Sequence, residues 1–105
     1  AEGTSKCNCT SCWKHRRWTA KVKLEGFRSL SGDDKLDKKR GFCRDCGVTP
    51  YRRVEAAEWN EGAYVSVNVA ALDDLEPSIL LAAPLQYCNG RDNDWWHAPA
   101  ITAHL

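Results

Sequence analysis

Cys7, Cys9 and Cys12 form a C-x-C-x2-C cluster, and Cys43 and Cys46 form a C-x2-C pair further along the chain. Thiolates at such spacings grip one soft metal ion, and zinc is the usual occupant. A zinc with four protein thiolates is a closed structural site, whereas a zinc with three keeps a position for water or substrate. From spacing alone, Cys9-x2-Cys12 and Cys43-x2-Cys46 make a four-thiolate ribbon with Cys7 left over. Five clustered cysteines do not divide into fours, so spacing leaves one site or two open.

The competing reading of six cysteines is a disulfide framework. A C-x-C pair is awkward to bridge within itself, because a disulfide needs a specific Cα separation and dihedral. The cysteines are also bunched, and no basic stretch followed by an apolar core marks a secretory signal toward an oxidising compartment. Metal binding is therefore the expectation. A thioredoxin-like redox role for Cys43 and Cys46 lacks its surrounding βαβ pattern. Cys88, isolated in sequence, reads as a free thiol rather than a recruited ligand.

Other polar groups read as structural first. His15 follows Cys12 at x2 spacing and could be a fourth ligand or proton shuttle, but an exposed or aromatic-packed histidine is the expectation. His97 and His104 are expected to pack or be solvated. Asp33-Asp34 and Asp73-Asp74 could form acid/base pairs, yet turn and cap roles explain them. The five tryptophans, Trp13, Trp18, Trp59, Trp95 and Trp96, could line a pocket; core packing is the expected role.

The elements that must position these groups are short. Residues 1–12 read as a polar loop delivering the first cysteines. Trp18 to Leu24 alternates apolar and polar residues, as a half-buried strand does. Glu25-Gly26 reads as a turn into a second short strand, Phe27–Leu30, and Ser31–Asp34 as another turn. The C-x2-C-G group at Cys43–Gly47 reads as a zinc knuckle, with Gly47 at positive φ so that amides point at sulfur. Val48–Val54, interrupted by Pro50, suits an edge strand. Ala63–Ala70 is the clearest strand, with Val65, Val67 and Val69 on one face and Tyr64, Ser66 and Asn68 on the other. Asp73–Pro77 reads as the capped start of a short helix over Ser78–Ala83, ended by Pro84. The tail from Gln86 to Pro99 reads as irregular. The whole is expected to be mainly β, with little helix.

At 105 residues the chain reads as one small domain, 43% hydrophobic and 28% charged, which favours a folded protein with a thin core. A net charge of +1 and a longest basic run of only Lys38-Lys39-Arg40 argue against nucleic acid as partner. No apolar stretch approaches the ~20 residues of a membrane span. The expected location is cytoplasmic. Oligomeric state is not legible.

Three segments carry a resemblance: Cys7 to Lys14, Phe42 to Val48, and Val67 to Asp74. Together with the ending Gly90-Arg91-Asp92-Asn93-Asp94-Trp95-Trp96 and Ala98-Pro99, they resemble the glutathione-dependent formaldehyde-activating enzyme (GFA) family. The resemblance implies a β-tent of small folded antiparallel sheets over residues 1–105, a single zinc-binding domain. It implies that Cys7, Cys9 and Cys12 hold a reactive zinc, and that Cys43 and Cys46 belong to a four-cysteine structural zinc completed by an N-terminal C-x-C. Residues before Cys7 carry no thiol, and Leu30 to Cys43 is shorter than the family pattern, so either the chain lacks its N-terminal strand or the structural site is incomplete or rebuilt. The implied activity is a carbon–sulfur lyase that adds formaldehyde to glutathione or a related thiol, with a small-molecule thiol and an aldehyde as partners. Formaldehyde is an electrophile and a thiol attacks as thiolate, so an open zinc position could orient the pair. Three thiolates on Zn²⁺ leave a net −1 centre, better suited to holding sulfur than to generating hydroxide. The alternative is a non-catalytic zinc module.

Overall fold

The computed structural model describes residues 3–57 and 62–105. Along the chain these form β1 (Thr4–Cys7), α1 (Thr10–Lys14), β2 (Thr19–Lys23), β3 (Tyr51–Val54), β4 (Tyr64–Asn68), α2 (Pro77–Ala82) and β5 (Leu85–Cys88). Single 3-10 turns lie at Leu24–Gly26, Asp33–Lys35, Val69–Ala71 and Gly90–Asp92. Five strands against helices of five and six residues make the described chain mainly β, as its patterning implies. It divides into two compact units, one spanning Ala20–Asp73 and the other joining the residues up to Thr19 with Asp74–Leu105.

In the Ala20–Asp73 unit, β3 and β4 pair antiparallel, with Tyr51 opposite Val67 and Val54 opposite Tyr64. The alternation of β4 places Val65 in the interior, and Val69 just beyond it is equally buried, each only 4% exposed. Tyr64, on the opposite face, receives the Lys21 ammonium 4.5 Å from its ring centroid. Pro50 has no N–H to donate, so β3 begins one residue after it, while the Pro50 carbonyl accepts from Asn68 N–H at 2.9 Å. Among the described residues, β3 has β4 as its only strand neighbour, the edge position its proline favours.

The expected strand at Phe27–Leu30 does not form. Phe27 instead packs on Tyr51, ring centroids 4.6 Å apart, and the Ser29 and Tyr51 hydroxyls both donate to Asp33 Oδ1 at 2.7 and 2.8 Å. A serine that hydrogen-bonds locally offers the backbone an alternative to a ladder. These two donors hold the Asp33 carboxyl below the usual carboxylate range, so Asp33 orders a turn, as expected.

In the other unit, β1 and β5 run parallel, in register from Thr4 opposite Leu85 to Cys7 opposite Cys88. This departs in two ways from the sequence expectation. Residues 4–7 are a strand and not loop, and the tail read as irregular from Gln86 instead opens inside a strand, Leu85–Cys88. Thr4-Ser5-Lys6-Cys7 carries little apolar alternation, so its strand character is visible only through its partner. The pairing is parallel where antiparallel sheets were expected, because the long intervening chain returns β5 in the same direction as β1.

The same unit ties its strands to the helices. Buried Thr4 donates its N–H and hydroxyl to the Pro84 carbonyl at 2.7 and 3.3 Å, and accepts from Trp18 Nε1 at 2.8 Å. α2 starts with Pro77 at its first position and ends at Ala83, extended ahead of Pro84. Asp73 and Asp74 are not its cap: the cap position is Glu76, without a side-chain bond, and Asp74 occupies a left-handed turn at φ 58°.

The tryptophans mostly do not form a core. Trp13, Trp95 and Trp96 are 37%, 42% and 73% exposed, while Trp18 is half-buried under the Lys6 ammonium. Trp59 lies outside the described residues. Trp18 and Trp95 direct their indole N–H groups to polar partners, Trp95 to Asn93 Oδ1 at 2.9 Å. Among the described residues, no helix is long and apolar enough to cross a membrane.

Candidate metal centre

β1 ends on Cys7, Cys9 caps α1, and Cys12 lies within α1. This strand–loop–helix step folds three thiols onto one point, so that the sulfurs of Cys7, Cys9 and Cys12 all lie within 4.8 Å of one another. Cys9 has an extended backbone, φ −61° and ψ 158°, and its sulfur accepts from Cys12 N–H at 3.4 Å. The sulfur of Cys7 accepts from Cys9 N–H, also at 3.4 Å. Amides therefore point at two of the sulfurs, which favours negative charge there.

The chemistry of the donor set fits a thiophilic cation. Tetrahedral zinc with Zn–S bonds of about 2.3 Å sets its thiolates about 3.8 Å apart, so the sulfurs need to close by at most about 1 Å. Three thiols leave one tetrahedral position unassigned. Among the described residues, these three are the one group of three or more His, Cys, Asp or Glu side chains close enough to share an ion.

The thiols differ in proton affinity. Burial pushes Cys12 up to about 12, reinforced by its hydrogen bond with Cys9 and by charge on Cys9 and Cys7. Burial also raises Cys7, partly offset by the backbone amides of Cys9 and Gly90. Burial works against the Cys9 thiolate too, but hydrogen bonds from the Cys12 amide, the Cys12 and Cys7 thiols and the Ser11 amide outweigh it and lower its pKa. Cys9 is the first of the three to ionise.

Two residues that chemistry-based reading of the sequence passed over hold this geometry. Asn8, only 8% exposed, donates from Nδ2 to Asn89 Oδ1 at 2.8 Å, and its Oδ1 accepts from Arg91 N–H at 3.0 Å. Its own N–H donates to the Cys88 carbonyl at 3.2 Å. The C-x-C loop is thereby tied to the turn after β5. The sequence carries no signal for it, because a polar side chain in a loop faces water by default and its partners lie more than eighty positions away.

Gly90 is the second. A Cβ there would lie 2.6 Å from Cys7 Sγ and 2.6 Å from Trp95 Cζ3, so only hydrogen fits between the thiol and the indole. Gly90→Ala is expected to displace Cys7 and weaken metal binding by about tenfold or more, the effect of about 1–3 kcal/mol of overpacking. A competition titration against a chromogenic chelator measures this, and wild-type affinity in the variant would contradict it.

α1 ends in a Schellman motif. Arg17 N–H donates to the Cys12 carbonyl at 2.9 Å and Arg16 N–H to the Trp13 carbonyl at 3.0 Å. The left-handed position usually held by glycine is Arg16, at φ 53°. That conformation costs a residue with a Cβ about 1 kcal/mol. Its guanidinium donates to the His104 carbonyl.

The remaining predicted groups are placed as follows. Cys88 stands beside Cys7 in register but outside the group of three. Burial raises its pKa, and charge on Cys7 raises it further. His15 is exposed, its Nδ1 donating to the Ser11 carbonyl at 2.9 Å, and it is not in the cluster. His97 Nδ1 bonds the Asp94 carboxylate at 2.9 and 3.0 Å, which holds Asp94 below its ordinary range. His104 packs edge-on against Trp13, centroids 4.5 Å apart.

Cys43 and Cys46 lie in the Ala20–Asp73 unit, at a tight turn. Gly47 takes φ 82°, as its place after C-x2-C implies, and donates to the Cys43 carbonyl at 2.7 Å. Hydrogen bonds from the Cys46 and Asp45 amides and the Cys46 thiol lower the Cys43 pKa. The pair offers a metal two thiols, Cys46 exposed and Cys43 half-buried.

Comparison with protein-family models, with curated proteins and with solved structures returns no match.

Proposed function

We propose that this chain is a zinc protein of the formaldehyde-activating type, a β-tent in which Cys7, Cys9 and Cys12 hold a reactive zinc and Cys43 and Cys46 contribute to a structural one. Its reaction is the addition of formaldehyde to the thiol of glutathione or a related thiol, the reverse of a carbon–sulfur lyase step. The observation that carries this reading is the convergence of three sulfurs, Cys7 included, within 4.8 Å of one another. A four-thiolate ribbon would have left Cys7 aside. When bound, zinc supplies an open position that holds an incoming sulfur as thiolate.

The chain's own residues do the rest. Cys9, with its lowered pKa, offers the first thiolate, and the amides of Cys9 and Cys12 fix where the sulfurs point. Asn8 and Gly90 keep the loop against the turn after β5, so the triad is held in advance of its ligand. One observation favours a second reading, a non-catalytic zinc module: Cys88 stands next to Cys7 in the ladder, a further thiol paired with a member of the triad.

Metal analysis of the wild type and of Cys7→Ser, with thiol–formaldehyde adduct formation followed by NMR, tests both readings. Loss of one zinc from Cys7→Ser with the fold intact, together with loss of a catalysed adduct rate, is the expected result. Unchanged zinc content overturns the triad. An adduct rate no faster than the uncatalysed one, with the triad loaded, overturns the enzyme in favour of the module.

A further inference from the structure

A cleft of about 330 Å³ is lined by Thr10, Trp13, Lys14, Arg16 and Arg91. Its residues adjoin the triad in the chain. Thr10 follows Cys9, Trp13 and Lys14 follow Cys12, and Arg91 follows Gly90, the residue packed on Cys7 Sγ. Three of the five lining side chains are cationic and none is acidic. In a chain of net charge +1, that is a local concentration of one sign.

The two guanidiniums are positioned by the fold. Arg91 stacks over Trp13, 5.0 Å from the ring centroid, with its backbone N–H held by the buried Asn8. Arg16 sits where a glycine would relieve the left-handed backbone, and its bond to the His104 carbonyl occupies only part of a five-donor fork. A strained residue beside a candidate site is where function is to be sought. Guanidinium forks match a carboxylate geometrically, and the ammonium of Lys14 adds charge without direction.

We infer that this cleft is a carboxylate subsite, so that the chain selects thiols carrying a carboxylate over neutral or cationic ones. The inference rests on the thiol-binding reading above and adds its specificity. The carboxylate is held by Arg16, Lys14 and Arg91, and Trp13 forms an apolar wall for the carbon chain.

The test uses the full chain loaded with cobalt(II), titrated with 3-mercaptopropionate, 2-mercaptoethanol and cysteamine, and followed by sulfur-to-cobalt charge-transfer absorption. The anionic thiol is expected to half-saturate at a concentration about tenfold or more below the neutral one, with the cationic thiol weakest. The double variant Lys14→Gln/Arg91→Gln is expected to bring the anionic and neutral thiols within about threefold. Equal half-saturation in the wild type, or a preference that survives the double variant, overturns the subsite. A spectrum indifferent to all three thiols overturns the thiol-binding reading instead. The subsite is then decided on metal-free protein with propionate: a shift of the Trp13 indole N–H signal that the double variant abolishes upholds it, and no shift overturns it.

Discussion

Cys9→Ser is expected to lower the triad's affinity for zinc by about 100- to 1,000-fold while leaving the fold in place. Apparent binding energies of structural zinc are about 10–16 kcal/mol across four ligands, or about 2.5–4 kcal/mol for each thiolate. Cys9 is the thiol of choice because its sulfur accepts from the Cys12 amide and its pKa is the one lowered. Serine is the informative replacement. It remains a preferred helix cap, so α1 keeps an acceptor for Cys12 N–H while the metal loses a soft ligand. Cys9→Ala removes both, and is expected to cost up to about 1 kcal/mol more in folding stability. Metal content by mass spectrometry and a urea midpoint separate the two effects. Full zinc occupancy in Cys9→Ser at limiting zinc would show that the cluster is not the binding site.

The second large effect is pH dependence. A metal takes thiolates, so every proton resident on the triad at the working pH must leave on binding. In the metal-free protein burial keeps Cys12 protonated up to about 12 and also raises Cys7, leaving Cys9 as the thiol nearest to ionising. At neutral pH at least two protons are therefore released, and the apparent affinity should rise about 100-fold per pH unit. The sign follows directly: a raised thiol pKa favours the protonated form, which competes with metal, so acidification weakens binding. Between pH 8 and pH 6 the loss is about 10⁴-fold. Proton release in weakly buffered solution measures the stoichiometry independently of affinity. Release of fewer than two protons per triad metal at pH 7 would mean that the thiols ionise before the metal arrives.

How far these outcomes could be anticipated from sequence differs between elements. β4 was legible because its valines alternate strictly, and alternation needs no partner to be read. β3 was legible through Pro50, whose missing donor places the strand start after it. β1 and β5 were not legible. Each is four residues long, and their strand character comes from pairing with each other, Thr4 with Leu85 through Cys7 with Cys88, a contact that local pattern does not encode. Phe27–Leu30 failed in the opposite sense, since its apolar ends suggested a strand while Ser29 and Phe27 found better partners in Asp33 and Tyr51. The indoles illustrate the same limit. Their size suggested a core, but Trp13 and Trp96 remain largely at the surface, where the cation of Arg91 takes up one of them.

The amino-acid sequence by itself determined which atoms are available for chemistry. Three thiols at C-x-C-x2-C are near one another in the chain, and the strand–loop–helix step from β1 into α1 brings their sulfurs together. What only the tertiary structure decided is the company they keep. The β1–β5 ladder brings Gly90 against Cys7, Asn8 against Asn89 and Arg91, and Arg91 against Trp13. Those contacts join residues more than seventy positions apart, where loop closure is unfavourable until a register of backbone hydrogen bonds compensates for it. The identity of the triad is thus a local fact, and the approach of Arg91 to Trp13 in the cationic cleft a consequence of strand pairing.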